Sequence, residues 1–265
     1  MKRIQLKAFE MMVAVGGQGK PMLLVHGFPL DNRMWRYQID HFQTQYQVIA
    51  PDLRGFGKSG PLEAGASMQS FAEELIEMLD ALEVKGPVIL CGLSMGGYIA
   101  WQLARRWPNR FSHLIMCNTR AAADPAEIAR ARRIAAQGIL ANGSSGFIQE
   151  QMKRLVCETT SIHNPDVIDL VQSIMAATNP TSIAGALIAL ADRPDATPWL
   201  ADITQPTLVI AAEEDVITPP AEMRAFADLI PNKKFVEIPE AGHLSPLEQP
   251  QAVNQAIQDF LQEKS

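Results

Sequence analysis

Val88-Ile89-Leu90-Cys91-Gly92-Leu93-Ser94-Met95-Gly96-Gly97 is the stretch on which the fold turns. Val88–Cys91 reads as a buried strand. Met95–Trp107 then reads as a helix that stops before Pro108, because proline disfavours helix at the residue preceding it. Between strand and helix stands Gly92-Leu93-Ser94-Met95-Gly96, a G-x-S-x-G. A serine projecting from so tight a turn is held in a strained backbone conformation, and glycines two positions either side avoid clashes with the neighbouring strand and helix. Ser94 also stands at the start of the helix, whose positive end favours a developing anion.

Outward from this stretch the pattern repeats. Met22–Val25, Gln47–Ala50, His113–Cys117, Thr207–Ala212 and Lys234–Ile238 read as further buried strands. Met34–Gln43, Ser70–Leu82, Ala221–Leu229 and Gln251–Gln262 read as helices between or after them. Ile4–Phe9 and Met11–Val15 form a hairpin at the sheet's edge. Gly16-Gly17-Gln18-Gly19 precedes a strand instead of following one, so it is a turn and not a phosphate-binding loop. Strands alternating with crossover helices predict an α/β fold with a mostly parallel central sheet.

From about Arg120 to Leu200 the alternation stops. Asp124-Pro125-Ala126-Glu127 places an acid at the N-cap, proline at the first helical position and Glu at the third, a capping-box arrangement, and Gly143 ends that helix. Asn164-Pro165-Asp166 starts another helix, and Thr181–Ala191 is a further one. Residues 120–200 therefore read as a helical cap, or lid, inserted into a core formed by residues 1–119 and 201–265; such an insertion covers a pocket, the alternative being a packing extension.

Composition bounds the function. With 265 residues, 47% hydrophobic and 20% charged, the chain is long enough for one large α/β domain or two small ones. Net charge is −6 with no run of Lys or Arg, which speaks against a nucleic-acid surface. Three scattered cysteines make neither a disulfide framework nor a zinc site, and an odd, unpatterned count suits a reducing compartment. No apolar leader-like run follows Met1. The most membrane-like stretch, Pro87–Ala104, holds three glycines, Ser94 and Gln102, and reads as a strand turning into a helix. The expectation is a cytoplasmic protein with no membrane partner, no metal and no cofactor; the oligomeric state is left open.

In an open parallel sheet, ligands bind beyond the carboxyl ends of the strands. Polar and glycine-rich loops follow each strand here: His26-Gly27-Phe28-Pro29, Asp52-Leu53-Arg54-Gly55, Asn118-Thr119-Arg120, Glu213-Glu214-Asp215 and Ala241-Gly242-His243. A serine nucleophile needs a base within hydrogen-bond reach. Of the five histidines, His41, His113 and His163 read as structural and His26 as a brace for its loop, leaving His243 after the last strand. The base needs a carboxylate to orient it. Glu213, Glu214 and Asp215 all crowd one strand end; Asp215 is favoured because Thr218-Pro219-Pro220 begins the next helix. The order Ser94, Asp215, His243 is that of α/β-hydrolases.

With these residues in place, the chain resembles the α/β-hydrolase superfamily over its full length. His26 to Asp31 resembles the oxyanion-loop motif, and Asp52 to Ser59 the loop after the fourth strand. Gly92 to Gly97, Asp215 to Pro219 and Gly242-His243 complete the set. Within the superfamily the chain looks closest to small bacterial carboxylesterases, enol-lactonases such as 3-oxoadipate enol-lactonase, and perhydrolases. One departure is Ala212, where many relatives have glycine. The resemblance implies an oxyanion hole from the backbone N–H groups of Phe28 and Met95. It also implies hydrolysis of a small-molecule carboxylic ester or lactone through an acyl-enzyme on Ser94. Other chemistry on the same triad (carbon–carbon bond hydrolysis, perhydrolysis or cyanohydrin cleavage) and a non-enzymatic receptor role remain alternatives; Ser94 argues against the aspartate-nucleophile dehalogenases and epoxide hydrolases. Trp35, Phe28 and Trp199 are candidates to line an acyl pocket, with core packing the equal alternative. Arg120 is a candidate partner for a substrate carboxylate or an anchor for the lid, while Asp52 and Arg54 hold their loop.

Overall fold

The computed structural model describes residues 1–62 and 65–264, so residues 63, 64 and 265 of the expected core lie outside the described residues. Its strands are β1 (Lys2–Gln5), β2 (Glu10–Gly16), β3 (Pro21–Val25), β4 (Gln47–Pro51), β5 (Val88–Leu93), β6 (Phe111–Cys117), β7 (Thr207–Ala212) and β8 (Lys233–Ile238). They form one eight-stranded sheet in the order β1-β2-β4-β3-β5-β6-β7-β8. The β1–β2 hairpin and its junction with β4 are antiparallel, and every other pairing is parallel.

Burial follows from that topology. The central strands β5 and β7 are buried at every residue, because crossover helices cover both faces of a parallel sheet and leave no strand position for a solvated side chain. The edge strands β1 and β8 carry exposed positions instead. Around the sheet stand α1 (Arg36–Phe42), α2 (Met68–Ala81), α3 (Met95–Arg106), α9 (Pro220–Ala227), the short α10 (Ser245–Glu248) and α11 (Pro250–Glu263). Ser67 and Ser70 close a reciprocal capping box at the start of α2, satisfying two of its orphan N–H groups. The helix read as Met34–Gln43 begins as a 3₁₀ turn, Asn32–Trp35, capped by the Asp31 side chain, and becomes α-helical at Arg36.

Between the neighbouring strands β6 and β7 the chain makes α4 (Ala126–Asn142), α5 (Ser145–Leu155), α6 (Glu158–His163), α7 (Pro165–Ala177) and α8 (Pro180–Ala191). The two ends of this insertion are tied where they leave the sheet, Ala196 donating its N–H to the carbonyl of Ala121 at 2.9 Å. Asp124 does not act as the N-cap of α4. Pro125 occupies that position without a side-chain cap. The fully buried Asp124 carboxylate instead accepts from Arg132 at 2.6 Å and pairs with Arg193 at 2.8 Å. Two guanidiniums offer stronger, charge-assisted partners than a backbone N–H. No single helix among the described residues is long and apolar enough to cross a membrane.

Candidate active site

Ser94 directly follows β5, in the middle of the sheet's carboxyl edge, and its backbone holds φ +53° and ψ −113°. A side chain rarely adopts this conformation unless the surroundings over-determine it. Here they do. A Cβ at Gly92 would stand 2.5 Å from the carbonyl oxygen of Gly96, and one at Gly96 would stand 2.1 Å from that of Val25. Only glycine lets α3 start this close to β5 and β3. The Ser94 N–H donates to Cys117 O at 3.0 Å, and Thr119 Oγ1 donates to Ser94 O at 2.8 Å, so both of its peptide groups are pinned to the end of β6.

Two N–H groups near this turn are unspent. Met95 is the first residue of α3, and a first-turn N–H has no acceptor inside its own helix. Among the described residues, neither its N–H nor that of Phe28 donates to another protein group.

His243 lies on the loop after β8 and is buried. Its Nδ1 donates to Asp215 Oδ2 at 2.8 Å. Asp215 follows β7 in a tight turn, its N–H bonded to Ala212 O at 3.1 Å, so alanine at 212 is compatible with this path. Its carboxylate also accepts from the N–H groups of Ile217 and Thr218, from Thr218 Oγ1 and from Asn118 Nδ2 at 2.5–3.0 Å. Burial alone would raise its pKa. The neighbouring His243 charge, with the hydrogen bonds from His243, Thr218 and Asn118, outweighs burial and holds the carboxyl well below its usual range.

Two supporting residues carried no assigned role from the sequence. Asn118, at φ +43°, donates to Asp215 and accepts from Ser245 Oγ at 2.6 Å, bridging the loops after β6, β7 and β8. Its only sequence signal is its place directly after a strand end. Glu248, on α10, folds back beneath the His243 loop, and no spacing rule marks it. His26 braces its loop: Nε2 accepts the Leu53 N–H at 3.0 Å and Nδ1 donates to Gly27 O at 2.9 Å. Asp52 likewise holds its loop through the Asn32 and Lys58 N–H groups, and Arg54 pairs with Glu74 at 2.7 Å.

The family model for the alpha/beta hydrolase family matches residues 22–256, which take in the six strands from β3 to β8 and the helices between them. The chain belongs to the alpha/beta hydrolase family. Among curated relatives of this alpha/beta hydrolase, 3-oxoadipate enol-lactonase 2 of Acinetobacter baylyi is 32% identical over 85% of the chain and 82% of its own length. Among solved structures, a thermophilic esterase from Thermogutta terrifontis superposes with a TM-score of 0.96 at 40% identity, covering 99% of this chain and 98% of that one. A hydrolase from Pseudomonas aeruginosa superposes at 0.90 and 28% identity, covering 98% and 97%.

A cavity of about 380 Å³ lies between the sheet edge of this alpha/beta hydrolase and its inserted helices. Phe28, Tyr98, Arg120 and Ile217 contribute the sheet-side wall, while α4, α5 and α8 contribute residues including Arg132, Phe147, Arg154 and Leu187. Arg120 thus reaches the cavity, but it is held by Glu222 of α9 at 3.1 Å and donates to Ile217 O, which anchors it to the core and not to the insertion. Trp35 and Trp199 do not line the cavity. Trp35 is wholly buried among core side chains. Trp199 stacks on Arg105 at 4.3 Å, eleven residues along α3 from Ser94 and so roughly 16 Å away along the helix axis. Both are large apolar side chains drawn into packing. Among the described residues, no group of three His, Cys, Asp or Glu side chains is placed to hold a metal ion.

Proposed function

We propose that this alpha/beta hydrolase cleaves a small-molecule carboxylic ester or lactone through an acyl-enzyme on Ser94. His243 is the base and Asp215 the carboxylate that orients it. The observation that carries this reading is the backbone of Ser94: a non-glycine residue at φ +53°, enforced by two glycines, on the turn at the sheet's carboxyl edge. A purely structural βα turn has no use for such strain.

The chemistry follows from the same groups. Ser94 Oγ attacks the carbonyl carbon while His243 Nε2 takes its proton; the opposite ring nitrogen is already committed to Asp215. The oxyanion that forms accepts from the unspent N–H groups of Phe28 and Met95, a donor of this kind contributing about 3–4 kcal/mol to the transition state. His243 returns the proton to the departing alkoxide. Water, activated in turn by His243, then releases the acid. The inserted helices act as a cap that closes the cavity over the acyl or alcohol group. Of the three arginines lining that cavity, Arg120 is paired with Glu222 and Arg132 with Asp124, which leaves the charge of Arg154 to favour an ester or lactone that itself carries a carboxylate. Three buried, unpaired cysteines suit the reducing cytoplasm as the working compartment. The family membership and the names of the enol-lactonase and esterase relatives support the same reaction class.

The test is a p-nitrophenyl ester series of increasing acyl length, with the mono-p-nitrophenyl ester of succinic acid as its anionic member. Wild type and Ser94→Ala are compared, together with a fluorophosphonate label. Turnover by wild type, its loss in Ser94→Ala and labelling at Ser94 are expected, with the anionic ester preferred over a neutral ester of equal length. Turnover retained in folded Ser94→Ala overturns the acyl-enzyme.

A further inference from the structure

Glu248 is 6% exposed, and among the described residues no cation lies within ion-pair distance of it. Three backbone N–H groups hold its carboxylate instead. Oε1 accepts from Gly242 at 3.1 Å and from Leu244 at 3.0 Å, the two residues that flank His243. Oε2 accepts from Cys157 at 2.8 Å, at the joint between α5 and α6 of the cap. The Leu244 N–H also reaches Leu155 O at 3.1 Å, a second tie between the same two segments. Gly242 makes this approach possible: a Cβ there would stand 2.5 Å from the Cys157 nitrogen and 3.1 Å from Glu248 Oε1.

A carboxylate kept in so dry a place for packing alone would be a poor choice, since an apolar side chain of similar size avoids the desolvation cost. What a carboxylate supplies is two oxygens that serve two different chain segments at once. We propose that Glu248 is a positioning residue that fixes the backbone on both sides of His243 and couples it to the α5–α6 joint of the cap. Displacement of that joint, as when a ligand enters or leaves beneath the cap, pulls through Oε2 on the carboxylate and through Oε1 on the loop bearing the base. The cap thereby governs how well the imidazole is aimed, as well as what enters. The proposal rests on the reading of His243 as the base.

Cys157 permits a test that leaves Glu248 unsubstituted. Its φ of −72° suits proline, and Val156 before it is extended, so Cys157→Pro deletes the N–H donor at backbone angles the chain already holds, and the ring Cδ, standing where the N–H pointed, drives Oε2 off the joint. Cys157→Ala keeps the N–H and controls for loss of the thiol. The two variants are compared by amide hydrogen exchange at Gly242 and Leu244 and by kcat and KM on a short p-nitrophenyl ester. Cys157→Pro is expected to exchange those amides at least tenfold faster than Cys157→Ala and to lower kcat at least fivefold further, with KM changed less than kcat. Glu248→Gln, which turns one acceptor oxygen into a donor, is expected to lower kcat at least tenfold; if it does not fold, the Cys157 pair decides. Equal exchange in the two Cys157 variants overturns the coupling. Faster exchange with an unchanged kcat overturns the positioning role. Turnover surviving in Ser94→Ala strikes the acyl-enzyme reading instead, and the exchange rates still decide whether cap and loop are joined.

Discussion

Asn118 shows how a single side chain can hold an acid–base pair in register. Its amide donates to Asp215 and its carbonyl oxygen accepts from Ser245, so removing it leaves one carboxylate lone pair and one hydroxyl without their partner in a buried site. A hydrogen bond to a charged group contributes about 1.5–3 kcal/mol. Asn118→Ala is expected to lower the unfolding free energy by that amount in urea titrations, and to reduce turnover as Asp215 loses part of its restraint. The sequence exposes residues of this kind unevenly. Ser94 and His243 are legible because each stands at a strand end in a short motif whose glycines have a steric reason. Asp215 is separable from Glu213 and Glu214 only through the helix that begins at Pro220. Asn118 and Glu248 are silent, because their roles arise from contacts 97 and 91 residues away along the chain, with Asp215 and Cys157 respectively. Trp35 and Trp199 mislead in the opposite sense, since a large aromatic side chain suits a pocket and a core equally well.

At the scale of elements, Asp124 links three parts of the insertion: the segment leaving β6, helix α4 through Arg132, and the segment after α8 through Arg193. Arg193 is itself almost fully buried and lies over the ring of Tyr98, 4.4 Å from its centroid. Truncating Asp124 would strand that guanidinium away from water, and breaking a buried pair by removing one partner costs about 3–5 kcal/mol. Asp124→Ala is expected to destabilise the protein by that amount in chemical denaturation, with added charge screening recovering little because the pair is dry. The sequence places this acid correctly beside a helix start, yet assigns it to the cap position. Capping rules weigh only local partners, and Arg193 is remote in the chain. Strand positions, by contrast, are legible to within one or two residues wherever a run is apolar throughout, as in β7, because burial on both faces of a parallel sheet leaves little room for another pattern.

For the molecule as a whole, the buried titratable groups His26, Glu74 and Asp215 make stability depend on pH, and not all with the same sign. Burial lowers the His26 pKa below its ordinary 6.5, and the Gly27 hydrogen bond and the charges of Asp52 and Asp31 only partly offset this. As pH falls below about 6.5 the unfolded chain binds a proton there that the folded chain refuses, so stability declines by up to about 1.4 kcal/mol per pH unit until the folded pKa is reached. Asp215 acts in the same direction but lower. Its folded pKa is depressed, so its contribution is intact above the ordinary carboxylate value of 3.8 and is lost as pH falls through the folded one. Glu74, pushed up to about 7 by burial against the pull of Arg54, takes its proton earlier in the folded chain and so offsets the His26 decline over the same range. The comparison is therefore differential: between pH 7.5 and 5 the urea midpoint of the wild type is expected to fall relative to that of His26→Gln, whereas the decline below pH 4 is expected in both. The tie between Ala121 and Ala196 bears on something quite different. Since the chain leaves and re-enters the core at two points one hydrogen bond apart, residues 122–195 form an excursion that the sheet need not notice. Loop-closure entropy grows slowly with length, so inserts of other sizes could be spliced at this seam at small cost. A transplanted insert must still bring a backbone donor to Glu248 and an acceptor to the Leu244 N–H, which makes that pair of contacts the docking standard for any exchange of specificity on this scaffold.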